Sequence, residues 1–135
     1  MDIIKWRESY KTGIVDMDNH HRQLIKLINQ LYEIVRDNTG YESVDAILHE
    51  MANYADYHFR AEENLLEQHD FPGLEEQRKS HGHYLSQIDE LRKNFDKNNR
   101  ESVQNIYVFL RNWLINHIVL EDKKYGTFLW GKGVQ

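Results

Sequence analysis

The chain has 135 residues, 40% hydrophobic and 29% charged, with a formal net charge of -5 at pH 7. That length holds one domain with one core, and the balance excludes a disordered chain. The acidic charge argues against nucleic-acid binding, and the absence of cysteine excludes disulfides, thiolate catalysis and Cys-ligated metal, leaving only nitrogen and oxygen ligands.

Residues 1–17 read as an irregular arm anchored by Trp6 and Ile14, with Gly13 as a turn. The opening has no uninterrupted apolar stretch of the signal-peptide kind, and no run in the chain approaches a membrane span. A cytoplasmic protein with no membrane partner is therefore expected. Glycine is sparse (7) and proline occurs once, so few points can break a helix.

A first helix is predicted from Asp16–Asp18 to about Asp37, stopped by Asn38-Thr39-Gly40, with His21, Leu24, Ile28, Leu31 and Val35 on one face. A second covers about 42–68, with Ile47, Met51, Tyr54, His58, Glu62 and Leu65 on its stripe, and ends at His69-Asp70-Phe71-Pro72-Gly73. The third, about 74–96, carries Gln77, His81, Leu85, Ile88, Leu91 or Arg92, and Phe95; Asp96-Lys97-Asn98-Asn99 is the next turn. The fourth, about 101–125, carries Ile106, Leu110, Trp113, His117 and Leu120. Four amphipathic helices with short connections predict an all-α, antiparallel up-down four-helix bundle. One domain fills 1–135, with the bundle over 18–126 and a tail over 127–135.

Four stripe histidines, His21, His58, His81 and His117, fall on four different helices. A single one could be a core residue whose ring N–H meets a backbone carbonyl. Four together point to a shared charged or metallic partner. His58 and Glu62, four apart, stack on one face. Burying Glu62 unpaired would cost several kcal/mol, a penalty that a metal removes; the alternative is a solvated rim carboxylate, the reading given to Glu63 beside it.

For His117 the spacing is less kind. Five steps to Asp122 rotate about 140° past a full turn, so an ideal α-helix would favour Glu121. Two carboxylates with several imidazoles exceed the needs of one tetrahedral zinc and suit a two-metal site of iron, manganese or zinc. His20, His49, His69 and His83 read as surface residues.

The ordered blocks Asp18-Asn19-His20-His21-Arg22-Gln23-Leu24, His58-Phe59-Arg60-Ala61-Glu62-Glu63 and Trp113-Leu114-Ile115-Asn116-His117-Ile118-Val119-Leu120-Glu121-Asp122 resemble those of the hemerythrins, most closely the single-domain bacterial ones. The resemblance covers nearly the whole chain. It implies a non-haem di-iron centre, two iron ions (Fe2+/Fe3+) with a bridging oxo or hydroxo group. His21, His58, Glu62, His81, His117 and Asp122 would be the ligands, with Glu62 and Asp122 bridging. Asp122 then replaces Glu121, which requires the last helix to distort. Dioxygen would bind at the iron held by His21 and His58, beside a pocket of Leu24, Trp113 and Leu114, residues that otherwise read as core packing.

One position departs from the family's pattern. The third helix of the family carries two histidines four apart, and here Gln77 stands at the first, with His81 at the second. Gln77 offers a weak carbonyl oxygen or a water-mediated contact, so the second iron could be held loosely. The resemblance thus implies an oxygen-binding protein, serving storage, delivery or scavenging, with no catalytic residues and a monomeric or weakly oligomeric state. Two alternatives stay open: a di-iron peroxidase or oxidase exploiting Gln77, and an oxygen- or nitric-oxide-sensing module.

Overall fold

The structure, a computed structural model, describes residues 3–96 and 98–135, with all their side chains except those of Val119 and Leu120. Met1 and Asp2 of the arm, Lys97 of the third turn and the Leu120 stripe position therefore lie outside the described residues. The arm carries one 3-10 turn, Glu8–Tyr10, and runs into α1, Val15–Asp37. A second 3-10 turn, Tyr41–Ser43, leads into α2, Val44–Gln68; α3 is Leu74–Asn94 and α4 is Arg100–Asn116. The fourth rod continues as a π-helical segment, His117–Asp122, and then as α5, Lys123–Trp130. The helix thus runs past its expected end near 125 and takes in the first residues of the expected tail.

The breakers act where the residue types place them. Asn38 caps α1 in the left-handed conformation (φ 52°), its N–H returning to the Ile34 carbonyl. Asn99 caps α4, its side-chain oxygen accepting from the backbone N–H groups of Glu101 and Ser102. Helix α3 stops two residues early because Phe95 is extended.

Helix α1 packs against α2 and α4, and α2 against α3, as short connections between antiparallel neighbours require. The stripe residues Leu24, Ile28, Leu31, Val35, Met51, Ile88, Ile106 and Leu110 are all buried in one core. Of the expected stripe members, Tyr54, Leu65, Leu85, Leu91, Phe95 and Trp113 are only half-buried, while Ala55, Phe59, Leu66 and Tyr84 take interior places. No helix among the described residues is long and apolar enough to cross a membrane.

The end of the arm is held against the start of α1 and against α5. Asp18 is buried, and its Oδ1 accepts from both the backbone N–H (2.8 Å) and the hydroxyl (2.9 Å) of Thr12. Gly13 makes the turn between them at φ 90°, a backbone region that favours glycine. Thr12 in turn lies against α5: a Cβ on Gly126 would stand 2.3 Å from the Thr12 carbonyl oxygen. Gly126→Ala must therefore push backbone from backbone and is expected to cost about 1–3 kcal/mol. Urea unfolding checks this; an unchanged midpoint would show that arm and helix are not held together here.

Candidate metal centre

The six residues expected at the site converge inside the bundle, and each is at most 3% exposed. They form two groups that share one carboxylate, His21, His58, Glu62 and Asp122 in one, and Glu62, His81 and His117 in the other. In each group the donor atoms lie within 4.8 Å of one another.

The carboxylate oxygens divide between the two groups. Glu62 Oε2 lies 3.1 Å from His58 Nε2 and 4.0 Å from His21 Nε2, whereas Oε1 lies 2.9 Å from His81 Nε2 and 3.8 Å from His117 Nε2. Asp122 does the same, with Oδ2 at 2.8 Å from His21 Nε2 and Oδ1 at 3.0 Å from His117 Nε2. Each carboxylate spans two centres. The Nε2 atoms of all four histidines, Glu62 Oε1 and Asp122 Oδ2 are buried without a hydrogen-bond partner despite these short distances. Buried polar atoms normally find partners. Here they are close but not aligned on one another, the arrangement expected of ligand atoms aimed at a common cation. The donor set, imidazole and carboxylate without sulfur, fits iron, manganese or zinc.

The spacing problem at Asp122 is resolved by the π-helical turn. Its i→i+5 hydrogen bonding widens the helix, so residues five apart come nearer to one face than in an α-helix. His117 and Asp122 thereby meet through Nε2, and Glu121, favoured by ideal α-helical spacing, is turned to the other ring nitrogen: its Oε2 lies 2.9 Å from His117 Nδ1. The Ser80 hydroxyl donates to the same oxygen at 3.0 Å.

Similar outer contacts fix the other rings. Glu63, read from sequence as a solvated rim carboxylate, lies 3.1 Å from His81 Nδ1 and is itself held by Arg78. His20, read as surface, is half-buried, with its Nδ1 2.8 Å from that of His58. Phe59 stacks on His81 (3.9 Å, 5° between planes), and Trp113 stacks on His117 (4.7 Å, 12°). The Tyr125 hydroxyl donates to Glu62 Oε2 at 2.9 Å. Sequence reasoning missed Glu63, His20, Phe59 and Tyr125 in these roles; carboxylates one residue after Glu62 and four after His117 were the available signal. His49 and His83 are exposed as expected, and His69 is half-buried in its turn.

Gln77 also reaches the centre. It is 5% exposed; its Nε2 makes only long contacts, 3.4 Å to Asp122 Oδ1 and 3.5 Å to the Glu121 carbonyl, and its Oε1 is buried without a partner. A small cleft of about 80 Å³, with Glu76, Glu121 and Lys124 in its lining, opens onto it. Leu24 and Leu114 are buried and Trp113 is half-buried.

The sequence model described as the hemerythrin HHE cation binding domain matches residues 12–129. The chain belongs to this family. A bacteriohemerythrin of Clostridium acetobutylicum is 26% identical over 124 residues, covering 89% of this chain and 96% of that protein. A bacteriohemerythrin of Methylococcus capsulatus is 25% identical over 96% of this chain and 98% of its own length. A myohemerythrin of Riftia pachyptila is 28% identical over 120 residues. In shape, a wild-type hemerythrin crystal structure superposes with a TM-score of 0.78 over 93% of this chain and 97% of that one, at 23% identity.

A cation-binding hemerythrin-family bundle must hold four imidazoles and two carboxylates together when no cation is bound, and protons take up the task. Burial alone would lower the His117 imidazolium, but Asp122 and Glu121 beside it raise it well above its ordinary value. Burial would raise the Glu62 carboxyl, but His58, His117 and His81 hold it well below the carboxylate range. His117 thus holds its proton to higher pH, and Glu62 gives up its proton at lower pH, than the free groups would. A cation needs the neutral imidazole, so loading near neutral pH is expected to release protons, from His117 above all. Calorimetric titrations in two buffers of different ionisation enthalpy measure it; heats independent of buffer would contradict the charge assignment.

Proposed function

We propose that this chain binds dioxygen at a carboxylate-bridged di-iron centre, serving oxygen storage, delivery or scavenging in a bacterial cytoplasm. The observation that carries the reading is the division of the Glu62 and Asp122 oxygens between two groups of imidazoles. One tetrahedral ion would not need it. His21 and His58 would hold one iron and His81 and His117 the other, with the carboxylates of Glu62 and Asp122 available to both. When bound, the iron pair supplies two electrons and an open coordination position for a small diatomic ligand.

The rest is done by the chain. Glu63 and Glu121 accept from the outer ring nitrogens of His81 and His117, setting the tautomer in which Nε2 faces inward and raising its basicity. Phe59 and Trp113 prevent those rings from rotating. The Tyr125 hydroxyl keeps its proton, burial and the nearby carboxylates Asp122 and Glu62 raising it well above its ordinary value, and so acts as a fixed donor to Glu62. Leu24 and Leu114, 1% and 0% exposed, with the half-buried Trp113, would give an oxygen ligand an apolar surround. An apolar surround that excludes water suppresses side reactions at a reactive centre.

A second reading, redox turnover with peroxide, is favoured by one observation: a cleft opens on Gln77, which lies on the side of His81 and His117, the group with three donors against four in the other. Gln77 serves there as a weak or water-mediated ligand. Reconstitution with ferrous iron followed by metal analysis tests both readings. The wild type is expected to hold two irons per chain, the one beside Gln77 leaving first under chelation. Gln77→His is expected to slow that loss by about tenfold or more, as an imidazole replaces an amide oxygen. Equal chelation kinetics in the two proteins would show that Gln77 does not face a metal. One iron per chain in both would end the bridged di-iron reading.

A further inference from the structure

Away from the metal centre, a cavity of about 480 Å³ lies between the N-terminal arm and the flanks of α1 and α4. Its lining includes Lys5, Arg7, Arg36 and Arg111 and no acidic residue among those described. In a chain with 22 acidic and 17 basic residues, four cations around one opening run against the composition. Tyr32, in its wall, lies eleven residues after His21, about 16 Å along the helix axis, and Arg111 lies six before His117, about 9 Å. None of the six metal ligands is in its lining, although Ile115, two residues before His117, forms its end nearest the metal centre.

We propose that this cavity binds a small phosphorylated molecule. Arg36 is already forked onto Asp37, at 2.9 and 3.1 Å. Lys5, Arg7 and Arg111 have no ion pair among the described residues. Arg111 is half-buried, and its Nε is fully enclosed without an acceptor. Enclosing a guanidinium N–H without an acceptor is costly, and grouping further cations beside it adds repulsion. An oxyanion bearing two or more charges removes both costs, and guanidinium groups match phosphate oxygens in fork geometry.

The remaining lining suits an organic body. Ile4, Tyr10 and Ile115 give an apolar floor, and the volume lies within the range of small-molecule sites. The arm wall is fixed: the Ile4 N–H donates to Asn29 Oδ1 and Asn29 Nδ2 donates to the Ile4 carbonyl, both at 2.8 Å. Trp6 packs edge-on against Tyr10 and lies under Arg22, whose guanidinium sits 4.3 Å from its ring centre. The cavity is therefore formed before any ligand arrives.

The test is calorimetric titration of the full-length, metal-loaded chain with adenosine diphosphate, inorganic pyrophosphate and adenosine. ADP is expected to bind more tightly than about 1 mM, weakening with salt, while adenosine does not bind. Arg7→Gln and Arg111→Gln are each expected to weaken binding by about tenfold or more, and Arg60→Gln, on an exposed face elsewhere, to leave it unchanged. Arg7 is exposed, so its variant reports on the site even if Arg111→Gln fails to fold. Pyrophosphate binding as tightly as ADP would identify the ligand as an inorganic anion, and tighter ADP binding would bring in the apolar floor. Binding that is equal in the wild type, Arg7→Gln and Arg111→Gln would place any ADP elsewhere, on the metal included, and overturn the proposal. So would the absence of binding by both phosphate compounds.

Discussion

Stripping the metal is expected to lower the melting temperature by about 15 °C for each tightly held ion, from a loss of about 4 kcal/mol apiece. The magnitude follows from linkage: an ion present at about a thousand times its dissociation constant stabilises the folded state by that amount. The structure explains why the folded chain binds the ion and the unfolded chain does not. Six donors from α1, α2, α3 and the fourth rod meet only when the bundle is assembled. Once the cation is gone, the inner nitrogens are buried without aligned partners, and two carboxylates share one enclosed space. Protonated His117 offsets part of that cost but cannot reach every oxygen. Scanning calorimetry with and without a chelator makes the comparison. Superposable curves would mean that the bundle carries its buried acids without metal and that the site is structural.

Glu62→Ala is expected to abolish loading of both positions, a larger effect than the loss of any histidine. Among the described residues Glu62 alone belongs to both compact groups of donors, Asp122 reaching the second through His117 only, and each of the four inner nitrogens lies within 4.0 Å of one of the Glu62 oxygens. Removing the outer partner of a ligating histidine typically costs about 10–100-fold in metal affinity, so removing a bridging ligand should exceed about 100-fold. Two companion variants give the scale. Glu121→Gln, which alters only the far side of His117, should weaken the position beside Gln77 by about 10–100-fold and leave the other intact. His58→Ala should empty only the position that it shares with His21. Metal analysis after dialysis ranks the three. A Glu62→Ala protein that still held one ion firmly would show that the two positions are independent.

The four helices were legible because apolar residues recur at three- and four-residue steps and the stops are spelled out by Asn38-Thr39-Gly40 and Asp70-Phe71-Pro72-Gly73. Convergence of His21, His58, His81 and His117 followed from the same periodicity, since each shares a stripe with core residues. The π-helical turn was not legible. Hydrogen-bond register is a property of the backbone, and residue spacing read on an α-helix favours Glu121; only the family resemblance pointed to Asp122.

The outer partners were missed for a related reason. Glu63 and His20 each adjoin a core-facing residue, and one step turns a side chain by about 100°, which in a lone helix is toward solvent. In the bundle that direction faces the next helix, where His81 and His58 present their outer nitrogens. Gln77 was singled out by the family resemblance, and in the structure its Nε2 lies 3.4 Å from Asp122 Oδ1.

The measurement that bears most directly on the proposed function is the visible absorption spectrum of the iron-loaded, anaerobically reduced chain, before and after air is admitted and again after oxygen is removed. A band that appears with oxygen and disappears when oxygen is withdrawn, over repeated cycles, is the predicted result. Prompt and irreversible conversion to a ferric spectrum would contradict an oxygen carrier and turn the Gln77 opening into the route of a redox reaction.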